Sequence, residues 1–138
     1  MRIRDVMSGD VKTVERNDAL SIAADVMRMA RIRHLVVLDE DRPGEVAGVL
    51  SQRDLFHGAL ARALGYGTHG ARKVLETVGV KEVMNATPIT IDAGATLAEA
   101  AHRMLEHKIG CLPVTEDGKL AGIVTESDFV RLASLQNT

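Results

Sequence analysis

The sequence predicts an α+β fold of two β-α-β-β-α repeats that pack sheet to sheet about a pseudo-twofold axis. Three observations lead to this prediction. The chain duplicates itself internally, each copy shows strand-like and helix-like patterns in the same order, and one copy alone is too short to bury its apolar strands. A chain of 138 residues has the length for one such pair.

The duplication appears when the chain is aligned with itself at an offset of 77 residues, which places IRDVM (3–7) on VKEVM (80–84). A loop that is three residues longer in the first copy then reduces the offset to 74. The aligned pairs include Thr13 with Thr90, Leu20 with Leu97, Met27 with Met104, Ser51 with Thr125 and Asp54 with Asp128. So many matches in one order indicate a true repeat.

Each copy begins with a short alternating strand, at 12–15 and at 88–92. An amphipathic helix follows, because apolar residues recur at helical spacing. Its apolar stripe is Leu20, Ala23, Ala24, Met27 and Ala30 in the first copy and Leu97, Ala100, Ala101 and Met104 in the second. In the second copy Thr96 and Glu99 form a capping box at the helix start, and Gly110 is the predicted helix-ending residue.

Two further strands and a last helix complete each copy. The strands are predicted at 34–39, 45–51, 111–116 and 119–125, and the last helices at 52–64 and 126–135. Asp117-Gly118 between the last two strands is typical of a tight hairpin. The crossover helix makes the first two strands parallel and covers one face of the sheet, so the second apolar face must be covered by the other copy.

The predicted domains are repeat 1 at 1–56, a helical connector at 57–79 and repeat 2 at 80–138, which together form one folding unit. We expect the connector to be exposed, with a bend at GYGTHG (65–70) and a short helical stretch at 71–78. GYGTHG matches the dinucleotide fingerprint G-x-G-x-x-G, but it follows a helix rather than a strand. A phosphate-binding role is therefore not expected for it.

The composition argues against several function classes. With a net charge of −2, one Tyr, two Phe and no Trp, the chain offers little to nucleic acid or to anionic membranes. The single cysteine, Cys111, is expected to be a core thiol, and the five histidines lack metal-binding spacing. The sequence shows no pairing of a nucleophile with a base, so it gives no indication of an enzyme. No apolar leader and no membrane-length apolar run are present, which predicts a cytoplasmic location.

Each copy ends in the pattern G-h-h-[ST]-x-x-D, as GVLSQRD (48–54) and GIVTESD (122–128). A hydroxyl residue followed three residues later by an acid is a helix-capping box. The same pattern suits a nucleotide, because a helix N-terminus attracts phosphate and one carboxylate can accept hydrogen bonds from both ribose hydroxyls. The two roles are compatible, and the pattern alone leaves both open.

These motifs resemble the cystathionine-β-synthase (CBS) domain, and two in tandem resemble a Bateman module. The resemblance covers about 1–56 and 80–135 and is carried by IRDVM, VKEVM, IRHLVV (32–37), IGCLPV (109–114) and the two endings above. It implies clefts that bind AMP, ADP, ATP or S-adenosylmethionine, with Mg²⁺ as a companion of phosphate. It also implies a homodimer and a regulated effector protein. The alternative is a structural dimerisation scaffold without a physiological ligand.

The resemblance further implies the residues of two nucleotide sites, in which the acid binds ribose, the hydroxyl residue lies near phosphate and backbone groups read the base. Site 1 comprises Asp10, Val11, Lys12, Arg33, His34, Leu35, Ser51, Arg53 and Asp54. Site 2 comprises Thr87, Pro88, Ile89, Gly110, Cys111, Leu112, Pro113, Thr125 and Asp128. Val36 departs from the family pattern, which has proline at this point, as at Pro113.

The charges near the two sites differ. Site 1 is accompanied by Arg31, Arg33, His34 and Arg53, whereas site 2 has His107 and Lys108 and carries Glu126 directly after Thr125. A carboxylate suits the helix dipole but repels polyphosphate. We therefore expect site 1 to accept more phosphate groups than site 2.

Overall fold

The described residues form two three-stranded sheets and the helices that pack with them. The structure is a computed structural model that describes residues 1–63 and 73–136, and the side chains of these residues except 59–63. The first set of elements is β1 (Thr13–Glu15), α1 (Leu20–Ala30), β2 (His34–Leu38), β3 (Val46–Ser51) and α2 (Gln52–Ala63). The second set is β4 (Ile91–Asp92), α3 (Leu97–His107), β5 (Cys111–Glu116), β6 (Lys119–Thr125) and α4 (Glu126–Ser134). Short 3₁₀ helices lie at Ile3–Asp5 and Val80–Glu82.

The two sheets have the same topology. β1 runs parallel to β2, which runs antiparallel to β3, and β4, β5 and β6 repeat this arrangement. The register pairs His34 with Ser51 in the first sheet and Cys111 with Thr125 in the second. The predicted α+β class and the order of elements in each repeat are therefore confirmed.

Strand β4 is shorter than the predicted strand at 88–92, because only Ile91–Asp92 pairs with β5. Two local features explain the difference. Pro88 has no backbone N–H to donate to a ladder. The carbonyl of Thr90 accepts a hydrogen bond from the Arg103 guanidinium on α3 instead of from a strand.

Helix α3 ends earlier than the predicted helix-ending residue, Gly110. α3 ends at His107, and Lys108 adopts the left-handed conformation with φ of 54°, its N–H donating to the Met104 carbonyl. Arg31 does the same after α1 with φ of 56°. Gly110 is thus not the helix-ending residue. Asp117 and Gly118 both have positive φ, as the predicted tight hairpin requires.

The chain divides into two compact units that are not identical to the two sequence repeats. We call Lys12–Pro88 the middle unit, and Met1–Val11 with Ile89–Thr138 the N–C unit. Each unit contains one sheet and the leading segment of the other repeat. The division of the sequence into repeat 1, connector and repeat 2 remains a prediction about sequence segments.

In the N–C unit, the leading segment of repeat 1 packs on the sheet of repeat 2. The Ile3 N–H donates to the Ala95 carbonyl at 2.9 Å, and Ser8 exchanges two hydrogen bonds with Ile123 on β6 at 2.9 and 3.0 Å. Ile3 is fully buried in the core of this unit. This core also contains Ile91, Ala93, Ala100, Met104, Leu112, Val114 and Val124.

The middle unit is built in the same way from the leading segment of repeat 2. The Val80 N–H donates to the Asp18 carbonyl at 2.8 Å, and Asn85 exchanges hydrogen bonds with Val49 on β3 at 2.9 and 3.2 Å. The core of this unit contains Val14, Leu20, Ala23, Met27, Leu35, Val37, Leu50, Leu55, Val78 and Val80. Each leading segment is therefore held by the sheet of the repeat to which it does not belong in sequence.

The end of the predicted connector is not exposed, since Val78 is buried and Val74 and Leu75 pack against the same core. Apolar side chains at helical spacing anchor this end of the segment in the middle unit. Of the predicted helical stretch at 71–78, residues 73–77 are helical. GYGTHG (65–70) lies outside the described residues.

Candidate functional site

The motif SQRD in repeat 1 forms a complete capping box at the junction of β3 and α2. The Ser51 N–H donates to Asp54 Oδ2 at 3.0 Å, and the Asp54 N–H donates to Ser51 Oγ at 3.0 Å. Both residues are half-buried. Within the described part of the chain, Asp54 Oδ1 accepts no hydrogen bond.

The motif TESD in repeat 2 forms a different set of bonds at the junction of β6 and α4. The Thr125 N–H donates to Asp128 Oδ2 at 2.7 Å, and the Thr125 hydroxyl lies 2.8 Å from Ser127 Oγ and 3.4 Å from Asp128 Oδ2. Arg131 donates to Asp128 Oδ1 at 3.1 Å. Both oxygens of Asp128 are thus already paired within the protein.

The first backbone amide of each motif helix is also occupied. The Gln52 N–H donates to the Arg33 carbonyl at 2.8 Å, and the Glu126 N–H donates to the Gly110 carbonyl at 3.0 Å. These bonds place the residue before β2 or β5 directly against the helix start. They also mean that a phosphate at either terminus must use amides further along the first turn or side chains.

The glycine that opens each motif is required by close packing. A Cβ on Gly48 would lie 2.6 Å from the Asn85 carbonyl oxygen and 2.7 Å from Met84 Sδ. A Cβ on Gly122 would lie 2.6 Å from Met7 Sδ and 2.8 Å from the Ser8 carbonyl oxygen. The leading segments therefore cross β3 and β6 where the strands have no side chain, and this crossing fixes the strand just before the motif.

The predicted site residues are distributed over both compact units. The middle unit contains Lys12, Arg33, His34, Leu35, Ser51, Arg53 and Asp54, together with Thr87 and Pro88. The N–C unit contains Ile89, Gly110, Cys111, Leu112, Pro113, Thr125 and Asp128, together with Asp10 and Val11. In each unit the β-ladder and the amide–carbonyl bond bring the entry of the central strand to the hydroxyl residue and the acid of the motif.

Several predicted site residues have side chains that cannot reach a ligand at the surface. Leu35, Cys111, Leu112 and Pro113 are buried. Burial raises the pKa of the Cys111 thiol to about 11, so it is protonated at neutral pH and is not a nucleophile there. That backbone groups at these positions read the base stays a prediction.

Charged side chains near the motifs are accessible. Arg33 and Arg53 are exposed in the middle unit, and Glu126 is exposed in the N–C unit. Arg131 is not among the residues predicted from the sequence, although its spacing of three residues from Asp128 is typical of helical ion pairs.

Among residues 1–63 and 73–136, no group of three or more His, Cys, Asp or Glu could hold a metal ion. None of the helices in these ranges has the length and apolar character to cross a membrane.

Comparison with protein families gives a match to the CBS domain over residues 3–60 and 80–134. Hypoxic response protein 1 of Mycobacterium tuberculosis (strain H37Rv) is 33% identical over 129 residues, which are 93% of this chain and 82% of that protein. The uncharacterized protein MJ1404 of Methanocaldococcus jannaschii is 31% identical over 134 residues, and the chain spans only 31% of its length.

Solved structures share the fold. The crystal structure of Hypoxic Response Protein I with two coordinated zinc ions has a TM-score of 0.79 at 30% identity, covering 95% of this chain and 98% of that one. The CBS domain pair of protein MJ0100, in complex with 5′-methylthioadenosine and S-adenosyl-L-methionine, has a TM-score of 0.76 at 26% identity. That comparison covers 97% of this chain and 96% of the other.

Proposed function

Because this chain belongs to the CBS domain family, as a tandem pair, we propose that it is a regulatory module that binds an adenosine-containing metabolite and signals its presence to another protein. The proposed ligands are AMP, ADP, ATP or S-adenosylmethionine. The role is regulatory rather than catalytic, and the protonated thiol of Cys111 is consistent with this. Asp54 and Asp128 are the proposed ribose ligands.

The observation that carries the proposal is the half-buried carboxylate of Asp54 at the β3–α2 junction. The Ser51 N–H fixes its Oδ2, while Oδ1 has no partner in the described part of the chain. A positioned carboxylate oxygen is a strong acceptor for a sugar hydroxyl. The MJ0100 pair, which has the same fold and 26% identity, is described in complex with two adenosine compounds, and this supports the ligand class.

The proposed output requires contact with another chain. Exposed apolar side chains lie on three helices, with Met29 78%, Leu105 77% and Val130 68% exposed. They provide surface for the proposed homodimer or for an effector protein in the cytoplasm. A ligand with different affinities for two arrangements of the module would shift the population between them, and the partner would respond to that shift.

Isothermal titration calorimetry with AMP tests the two carboxylates. We expect Asp54→Ala and Asp128→Ala each to weaken one site by tenfold to a hundredfold, about 1.5–3 kcal/mol, because the paired hydrogen bonds to the ribose are lost. Asp54→Glu and Asp128→Glu keep a capping acid but displace the carboxylate by one methylene, so they should also weaken binding. Glu45→Ala is the matched control, because Glu45 also has an i,i+3 arginine partner but precedes β3 at the end of the β2–β3 ladder opposite to Ser51.

Unchanged AMP affinity in both glutamate variants would exclude the ribose role. One observation favours the alternative of a dimerisation scaffold. Both carboxylate oxygens of Asp128 already accept hydrogen bonds from the protein, so this acid needs no ligand. A chain that sediments as a dimer but binds none of AMP, ADP, ATP or S-adenosylmethionine would establish that alternative instead.

A further inference from the structure

We propose that Arg131 competes with ribose for Asp128, so that the motif of repeat 2 binds an adenosine compound more weakly than the motif of repeat 1. This inference rests on the proposed function. It concerns the order in which the two motifs are occupied and assigns a role to a residue outside both predicted sites. The motifs are alike in sequence, but the structure gives their carboxylates different partners.

Asp128 has no free carboxylate oxygen. Oδ2 accepts from the Thr125 N–H at 2.7 Å, and Oδ1 accepts from Arg131 at 3.1 Å. The Asp128 side chain is only 12% exposed. A ribose diol approaching this acid must therefore displace the guanidinium or share one oxygen with it, and either event weakens the hydrogen bonds that the diol forms.

Among the residues that the structure describes, none competes in this way at the motif of repeat 1. At the repeat offset of 74, position 131 corresponds to His57. Within the described residues, Asp54 accepts a side-chain hydrogen bond only at Oδ2, from the Ser51 N–H. Asp54 Oδ1 therefore accepts no hydrogen bond from a described residue, whereas Asp128 Oδ1 accepts one from a guanidinium.

The expected effect of Arg131 on ribose binding at Asp128 is small and depends on salt concentration. The Arg131 side chain is 68% exposed, and an exposed i,i+3 ion pair is weak. Its loss should strengthen ribose binding at Asp128 by about twofold. Salt screens an exposed pair, so added salt should release Asp128 in the same way.

Adenosine is the suitable probe, because it carries the ribose diol but no phosphate. Arg131 could attract a phosphate directly, and this attraction would hide competition if AMP were used. Adenosine is also neutral at pH 7, so ionic strength does not act on a ligand charge. Any change in affinity caused by Arg131 or by salt then reports on the carboxylate.

The experiment measures adenosine binding by calorimetry in Asp54→Ala chains, in which the motif of repeat 2 remains. We expect Arg131→Gln to increase the affinity by about twofold. We also expect 0.5 M salt to increase it in the chain that retains Arg131 but not in Arg131→Gln. His57→Gln in an Asp128→Ala chain is the matched control, and its affinity should not change. Arg131→Lys keeps the charge without the planar guanidinium, so its adenosine affinity should lie between that of the chain with Arg131 and that of Arg131→Gln.

Three results would overturn the inference. The first is equal adenosine affinity with and without Arg131, and the second is weaker binding in Arg131→Gln, which would make Arg131 a ligand-binding residue. The third is the same salt response in both motifs, measured in the unsubstituted chain as a two-site isotherm. Failure of every variant to bind adenosine, AMP, ADP, ATP or S-adenosylmethionine would instead overturn the proposed function and this inference with it.

Discussion

Gly48 and Gly122 show how a single residue sets the geometry of each motif. Neither glycine has a positive φ, so backbone freedom does not explain them. Each lies where a leading segment crosses a strand, and a Cβ would come within 2.6 Å of Asn85 or Met7. A real Cβ would push that segment away from the strand that leads into the capping box.

Replacing Gly48 with alanine tests this contact. Gly48→Ala should destabilise the protein by about 1–3 kcal/mol, because the Asn85 backbone must move to admit the methyl group. Gly9→Ala is the control, since no atom lies within 4 Å of its added Cβ, and its effect should stay below about 0.5 kcal/mol. Urea unfolding measures both. Equal unfolding midpoints for the two variants would show that the crossing is loosely packed.

The capping bonds of the two motif acids could be predicted from the sequence, but the other partners of their carboxylates could not. The spacing from Ser51 to Asp54 and from Thr125 to Asp128 is visible in the printed chain, and it predicts a cap at both places. Which oxygen of each carboxylate accepts a hydrogen bond depends on side-chain rotamers and, at Asp128, on Arg131. A residue pattern does not contain that information.

At the scale of elements, the two motif helices begin with different caps although their sequences are equivalent. Ser51 Oγ accepts the Asp54 N–H at 3.0 Å, whereas the Thr125 hydroxyl is paired with Ser127 Oγ. The start of α2 therefore has a side-chain acceptor that the start of α4 lacks. The helices should respond unequally when the hydroxyl is removed.

We expect Ser51→Ala to cost about 1 kcal/mol, the usual loss for removing an N-cap acceptor. Thr125→Ala should cost less than half of this, because no helix amide loses its partner. Thermal unfolding of the two variants beside the parent chain measures the difference. A larger loss for Thr125→Ala would mean that its hydroxyl caps α4 in solution.

Element types were predictable because their periodicities are local, but some element ends were not. The Lys108 turn that ends α3 has no glycine signal, since a lysine adopts φ of 54° there. The strand predicted at 88–92 shortens because Arg103, fifteen residues beyond Pro88, binds the Thr90 carbonyl. A left-handed lysine and a contact with a side chain thirteen residues away are not visible in a local pattern.

At the scale of the whole molecule, the leading segments are exchanged between the two repeats. Self-alignment shows that 3–7 and 80–84 are equivalent. It does not show that Ile3 lies in the core with Val124, or that Val80 lies in the core with Leu50. Both arrangements, exchanged and unexchanged, preserve the same apolar pattern, so the sequence cannot distinguish them.

Ile3→Ala tests the exchange. It should destabilise the protein by about 2–5 kcal/mol, because a fully buried side chain is truncated. Hydrogen exchange should show that amide protection falls more in β5 and β6 than in β2 and β3, although Ile3 belongs to repeat 1 in sequence. Leu135→Ala, at a side chain that is 75% exposed, should change neither quantity. A larger loss of protection in β2 and β3 would contradict the exchange.

The crossing of the leading segments has a consequence for how such a chain could have arisen by gene duplication. In a half-length ancestor of this design, no leading segment would have crossed its own β3. Its own leading segment would have had no strand to cross. Two identical ancestral molecules could have solved this by each placing its leading segment across the β3 strand of the other. Fusion of the two genes would then have turned an association that depends on concentration into a covalent one, and neither half could afterwards be cut away intact.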